Sequence, residues 1–303
     1  MPELPDVELY LHALRPRIVG QRLNRVRIAS PFLVRSFDPP LSETEGRAVR
    51  EVSRLGKRIV WHLDNDLSIV IHLMIAGRFR WKTSRGVAIT NKVGLAAFDF
   101  DSGTLLLTEA GAKRRASLHV VRGETALAAI DRGGLEVLTS TRDGFAAAMT
   151  RENHTLKRAL TDPRLISGIG NAYSDEILHA AKLSPMQLTS RVSPDDIARL
   201  HDAAISTLSA WRDALIAETG DAFPEKVTAF HEGMAVHGRF GKPCPACGTL
   251  VQRIRYASNE ANYCPTCQTA GKLLADRSLS RLLREDWPKS LDEMDQHMAE
   301  RRR

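Results

Sequence analysis

The chain begins Met-Pro-Glu, and two of those residues could do chemistry. Methionine ahead of a small residue is normally removed during maturation, which would leave Pro2 as a secondary amine at the terminus with the Glu3 carboxyl beside it. A terminal amine has a reference pKa of about 7.7–8 against about 10.4 for lysine, so at neutral pH about a tenth of it is unprotonated and ready to act as a nucleophile. A second concentration of reactive groups lies far downstream. All four cysteines fall in CPAC and CPTC, as Cys244, Cys247, Cys264 and Cys267, with the spacing Cys-x2-Cys-x16-Cys-x2-Cys. Paired thiolates on two tight turns close a tetrahedron around one zinc ion. Two disulfides are the alternative, and an expected cytosolic location favours the metal. Four protein thiolates leave no open coordination position, so the zinc is expected to be structural and the catalysis to lie elsewhere.

A third stretch, SGIGNAYSDEIL, places Gly168 and Gly170 just before Asn171, where a new helix begins. Glycines let a ligand approach the backbone closely, and the first N–H groups of a helix are unpaired, so such a turn suits a phosphate. A plain helix-to-helix turn would use the same residues.

These groups need elements to position them. Residues 3–16 carry Val7, Leu11 and Leu14 at helical spacing, with Pro16 expected to end the helix. The runs RLNRVRIAS, REVSRLGKRIVWHLD, LSIVIHLMIAGRFRW, LAAFDFDSGTLLLTEA and RRASLHVVRG then read as strands separated by Gly and Asp turn signals, a sandwich or barrel-like domain over 1–135. After a linker at 136–150 the pattern is helical over 151–238, with Ser193 as a helix N-cap ahead of Pro194. The cysteine module spans 239–271, and 272–303 form a charged tail read as solvated surface. The fold class is therefore α+β.

The formal charge of +7 fits a polyanionic partner. Aromatics make up only 6% of the chain, which argues for phosphate contacts with a few inserted side chains over a broad base-stacking platform. No apolar run approaches the roughly 18 residues of a membrane span, and the start lacks the order of a signal peptide, so a cytoplasmic protein without membrane partners is expected.

Taken together, MPELPDVE, RLGKR around Lys57, HLMIAG at 72–77, NHTLKRALTDPRLISGIGNAYSDEIL at 153–178 and VHGRFGKPCPACG with YCPTCQ resemble the formamidopyrimidine-DNA glycosylase/endonuclease VIII (Fpg/Nei) family, in order, across about residues 1–271. The resemblance implies an N-terminal β-sandwich with a flanking helix, a helix-two-turns-helix domain and a zinc-finger hairpin, with DNA in the cleft between the halves. It implies a monomeric base-excision-repair enzyme, a bifunctional glycosylase and AP lyase acting on double-stranded DNA that contains a damaged base or abasic site. Pro2 would attack deoxyribose C1′, Glu3 would protonate the ring oxygen, and Lys57 would contact phosphate and assist the eliminations.

On the DNA-binding side, Lys157 and Asn171 match residues that grip phosphates beside the lesion, with Tyr173 and Glu176 as supporting groups. Met74 and Ile75 could fill the space of a flipped nucleotide, and Arg114 sits where the family places an arginine facing the orphaned base. Asp6 stands where the family usually has Glu, and Ala116 where it has a second, aromatic wedge. The Gly- and Ser-rich lesion loop has no counterpart in ETGDAFPEKVTAFHEG. Asn259 replaces the zinc-hairpin arginine, and Arg253 and Arg255 could supply the charge instead. These departures point to endonuclease VIII-like substrates, oxidised pyrimidines or abasic sites. The alternative class is a zinc-containing damaged-DNA-binding protein of weak or no activity, which would not need Pro2, Glu3 and Lys57 together.

Overall fold

A computed structural model describes residues 1–90, 92–111, 113–228, 230–255, 260–274 and 288–300. The chain divides into two compact units, one formed by 1–133 with 209–229 and the other by 134–208 with the residues from 230 onward. The sequence reading placed all of 151–238 in one domain, whereas here 209–229 joins the first unit. The reason is apolar: Leu215 and Val227 are buried in the first unit's core, and Trp211, Ile216 and Phe223 lie against it.

In the first unit, helix α1 (Leu4–Ile18) precedes strands β1 (Arg22–Ile28), β2 (Arg47–Leu55), β3 (Arg58–Leu63), β4 (Leu67–His72), β5 (Gly77–Lys82), β6 (Gly94–Phe100), β7 (Gly103–Glu109) and β8 (Ser117–Arg122), followed by the short helix α2 (Gly123–Ala128). All strand pairs are antiparallel, in the order β5-β7-β6-β1-β2-β3-β4-β8. The β1–β2 junction holds only the pairs Arg22↔Ala48 and Leu23↔Arg47, so the sheet folds there into two facing halves. Trp61 of β3 meets Phe98 and Phe100 of β6 with centroids 4.9 and 6.0 Å apart, which closes the sandwich across its core.

Helix α1 covers this core with Leu4, Val7, Tyr10, Leu11 and Leu14, all essentially inaccessible. Pro16 does not end it. Its fixed φ is helical and costs one hydrogen bond near the end of the element, and the helix runs on to Ile18 while the Arg17 guanidinium donates to the Ala13 carbonyl at 2.7 Å.

The second unit contains α3 (Arg142–Thr150), α4 (Leu156–Thr161), α5 (Asn171–Ala180) and the first part of α6 (Pro194–Thr219). Thr141 and Thr155 cap α3 and α4 with their hydroxyls, and the Ser193 hydroxyl accepts from the Asp196 N–H at 3.1 Å, the cap expected from sequence. Helix α3 occupies most of the stretch read as a linker. The hairpin β9 (Gln252–Arg255) and β10 (Glu260–Tyr263), then α7 (Pro265–Thr269), carry the cysteine module, and α8 spans Leu291–Glu300. Among the described residues no helix is long and apolar enough to cross a membrane.

Candidate functional site

The first cluster lies at the start of α1. Pro2 and Glu3 are buried, and Glu3 is the helix N-cap: its side chain accepts from the Asp6 backbone N–H, while the Asp6 carboxylate accepts from the Glu3 N–H at 2.8 Å. Aspartate at position 6 therefore completes a reciprocal cap, a structural use for the shorter acid. Burial lowers the pKa of the Met1 terminal amine, adjacent to Pro2, from its ordinary 8.0; Glu3 pulls it back up, and Arg78 and Lys57 push it further down. Lys57, in the turn between β2 and β3, is also pushed below the ordinary lysine range by burial, with Glu3 opposing. The structure thus brings the terminus, Glu3 and Lys57 into one electrostatic neighbourhood. Arg78 belongs to it as well and was missed in the sequence, where it reads as one of several alternating arginines in GRFRW.

The loop after β4 stands next to this cluster. Its backbone is tightly wound: Met74 has φ 53°, the Gly77 N–H donates to the Leu73 carbonyl, and a Cβ on Gly77 would fall 2.2 Å from that oxygen. The two candidate wedges part here, with Met74 half-buried and Ile75 62% exposed at the tip. Arg78 donates to the Ile75 and Gly77 carbonyls, and the His72 Nδ1 accepts the Met74 N–H at 3.2 Å, so the tip is fixed from both sides. Burial, then Arg58 and Lys57, drive the His72 pKa down to about 4, so its ring is neutral at pH 7.

Arg114 is exposed and donates to the Lys92 carbonyl at 2.7 Å. The buried Glu109 carboxylate accepts from the Arg115 and Ala116 N–H groups and sets the course of this loop, a role the sequence did not signal. Ala116 is only 3% exposed, so it has no part as a wedge.

The second cluster surrounds α5. Asn171 occupies its first turn and is half-buried, after the N-cap Gly170. Lys157 turns inward: its ammonium donates to the Asn171 carbonyl and the Ser174 hydroxyl at 3.0 Å each and to Asp175 Oδ1 at 2.5 Å. Those three donors are used inside the protein, so Lys157 organises the turn bearing Asn171. Asp175 Oδ2 meets His237 Nδ1 at 2.8 Å, and the Glu176 carboxylate accepts the N–H groups of Ala235, Val236 and His237. Both acids of α5 therefore anchor the segment leading into the cysteine module; their adjacency in YSDEIL was the available signal.

The four Sγ atoms of Cys244, Cys247, Cys264 and Cys267 all lie within 4.8 Å of one another, spacing that suits a tetrahedral ion. His179 Nε2 lies 3.2 Å from Cys244 Sγ, giving one thiolate a neighbouring ring nitrogen. On β9, Arg253 is held over the Phe240 ring at 4.1 Å and near Glu260 at 3.4 Å, while Arg255 is exposed. The neighbouring candidate Asn259 lies outside the described residues. The ETGDAFPEKVTAFHEG stretch is partly core: Phe223 faces Tyr10 and Trp81 at 6.1 and 6.5 Å.

A sandwich with buried Pro2 and Glu3 at its start, a helical unit with a glycine-led helix start, and a four-thiolate hairpin define a class, the zinc-finger DNA glycosylases built on a β-sandwich. Residues 1–115 match the formamidopyrimidine-DNA glycosylase N-terminal domain, 135–217 its H2TH domain, and 241–270 the zinc finger found in FPG and IleRS. The formamidopyrimidine-DNA glycosylase of Thermus thermophilus is 32% identical over 89% of this chain and 100% of its own length. An uncharacterized formamidopyrimidine-DNA glycosylase-like protein of Mycobacterium tuberculosis is 42% identical over 50% of this chain and 94% of its own length. Among solved structures, the Thermus thermophilus MutM (Fpg) protein superposes with a TM-score of 0.74 at 32% identity over 88% of this chain and 98% of that one. A Lactococcus lactis FPG mutant in complex with Fapy-dG containing DNA reaches 0.76 at 25% identity over 88% of this chain and 100% of that one. The chain belongs to the Fpg/Nei family and is a DNA glycosylase of base excision repair.

Proposed function

We propose that the protein is bifunctional, removing a damaged base and then nicking the strand as an AP lyase through Pro2. With Met1 removed, the Pro2 nitrogen is the terminal amine. Its lone pair adds to deoxyribose C1′ as the base departs, and Glu3 protonates the ring oxygen so that the sugar opens to an iminium. Because the nitrogen is secondary, the iminium has no N–H to lose and stays cationic, which acidifies the C2′ proton. Loss of that proton sends its electron pair to expel the 3′ phosphate. Lys57 stabilises phosphate charge beside the terminus and assists the eliminations. The observation that carries this reading is the convergence of Glu3, Lys57 and Arg78 on the chain terminus, beside the buried Pro2.

Ile75 enters the space vacated by the flipped nucleotide, Met74 supports it, and Arg114 faces the orphaned base. Asn171 holds a phosphate at the start of α5, with Lys157 positioning that turn. Charge for the zinc hairpin comes from Arg253, held over Phe240 and near Glu260, or from Arg255, exposed on β9. One structural zinc bound by the four cysteines holds the hairpin. The partner is double-stranded DNA, bound by a monomer in the cytoplasm, and the substrates are oxidised pyrimidines and abasic sites; a Lactococcus lactis relative has been solved with an oxidised pyrimidine containing DNA. Borohydride trapping on an abasic duplex tests the reading. A covalent adduct at Pro2, with Met1 absent by mass spectrometry, is expected; full trapping by protein that keeps Met1 would overturn it.

A further inference from the structure

The first unit presents two aromatic rings to solvent on a segment that cannot fold them away. Phe32 is 78% and Phe37 92% exposed, on either side of exposed Arg35. An exposed phenylalanine on a loose loop can turn inward, but this backbone is pinned between the two rings. Leu33 is buried, Val34 forms a parallel bridge with Leu118 of β8, the Arg35 N–H donates to the Leu118 carbonyl at 2.8 Å, and the Ser36 hydroxyl accepts the Val120 N–H at 2.7 Å. Phe32 and Phe37 are therefore carried in fixed places along the edge strand of the sandwich.

The surface beside them is basic. Arg35 and Arg58 both act on His119 of β8 and, after burial, hold its ring toward the neutral form. Arg58 is within electrostatic reach of Arg132, with Asp131 as the opposing acid. Across the sheet Arg58 is paired in register with His72, and Lys57 precedes it in the chain. Positive charge thus runs from Lys57 through Arg58 to Arg35, and the aromatic pair stands at its far end.

We propose that Phe32, Arg35 and Phe37 bind single-stranded DNA continuing from the incision site. Bases stack on the two rings, and phosphates follow Arg35, Arg58 and Arg132. Any base offers a π-face, so the contact tolerates sequence, and the arginines fix the backbone without reading it. The direction of the path rests on the reading of Lys57 and Pro2 given above; the stacking contact itself does not.

The test uses the full chain and three labelled probes in one buffer of stated salt: a blunt duplex with a tetrahydrofuran abasic site, the same duplex with a single-stranded extension of about ten nucleotides on either end, and oligothymidylate. Wild type should bind one of the extended duplexes more tightly than the blunt one. Phe32→Ala with Phe37→Ala should remove that gain and weaken oligothymidylate binding by about tenfold or more, leaving blunt-duplex affinity and cleavage unchanged. Arg35→Gln should flatten the salt dependence of oligothymidylate binding. No gain from either extension in the wild type, or a double variant that binds the extended duplexes and oligothymidylate as tightly as the wild type does, overturns the proposal. So does a wild-type dimer in sedimentation that the double variant loses while its oligothymidylate binding stays intact, since the patch then holds a second copy. Loss of trapping and cleavage with oligothymidylate binding that still depends on Phe32 and Phe37 would defeat the lyase reading alone.

Discussion

Lys157 and Asp175 form a buried ion pair, with Nζ 2.5 Å from Oδ1 and the aspartate side chain fully enclosed. Lys157 is contributed by α4 and Asp175 by α5, and the other carboxylate oxygen reaches His237, so one acid joins two helices to the segment before the cysteines. Removing one partner of a buried pair leaves an uncompensated charge, at a cost of about 3–5 kcal/mol. Lys157→Ala should therefore lower the denaturant midpoint of the second unit substantially and loosen DNA binding as a consequence. A variant with wild-type unfolding and weakened binding would show instead that the ammonium serves DNA directly.

The terminal amine sets the pH profile. The pKa of the Met1 amine is lowered from 8.0, chiefly by burial; with Met1 removed, the buried Pro2 amine is expected to shift in the same direction, its reactive neutral form populated at lower pH than in an ordinary terminus. Single-turnover trapping should rise with pH as the Pro2 amine loses its proton. Arg78 is one of the cations that lower the Met1 amine; if it acts likewise on Pro2 once Met1 is removed, Arg78→Gln should move the midpoint upward while its amide keeps a donor for the Ile75 carbonyl. A stopped-quench series from pH 5 to 9 reads both, and an unchanged midpoint would remove Arg78 from the site.

His72 links pH to stability. Its folded pKa is about 4 against 6.5 ordinarily, so between those values the unfolded chain binds a proton that the folded one does not. Stability from this group is complete above pH 6.5 and is lost as pH falls toward 4. Urea unfolding should show that acid loss in the wild type and a shallower one in His72→Gln, whose amide oxygen can still accept the Met74 N–H.

Metal retention should depend on His179 as well as on the cysteines. Cys264→Ser is expected to abolish metal and DNA binding while the β-sandwich stays folded, as followed by near-ultraviolet dichroism and metal content. His179→Ala removes the nitrogen 3.2 Å from Cys244 Sγ and should speed zinc loss to a chelator by about 10–100-fold. Equal release rates would show the contact to be incidental.

The loop tip separates folding from function. Ile75 is 62% exposed, so Ile75→Ala should change stability by less than about 0.5 kcal/mol yet slow base removal. Gly77→Ala should damage both, because its Cβ would meet the Leu73 carbonyl oxygen at 2.2 Å. Paired melting and glycosylase assays on the two variants distinguish them.

Local chemistry was legible in the amino-acid order. Four cysteines in two short turns specify their own cluster, glycine and aspartate signals mark the strand ends, and the hydroxyl of Ser193 caps its helix, because each depends on neighbours a few residues away. The Met-Pro-Glu start likewise announced an amine beside an acid. What pairs with what over long separations was not legible. Only the fold shows that Arg78 joins Lys57 beside the terminus, that Lys157 is spent on Asp175, that Glu109 fixes the Arg114 loop, and that residues 209–229 complete the sandwich core. Burial decided these, since a charge denied water must find a partner wherever the chain brings one, and the distance between partners along the sequence carries no trace of the choice.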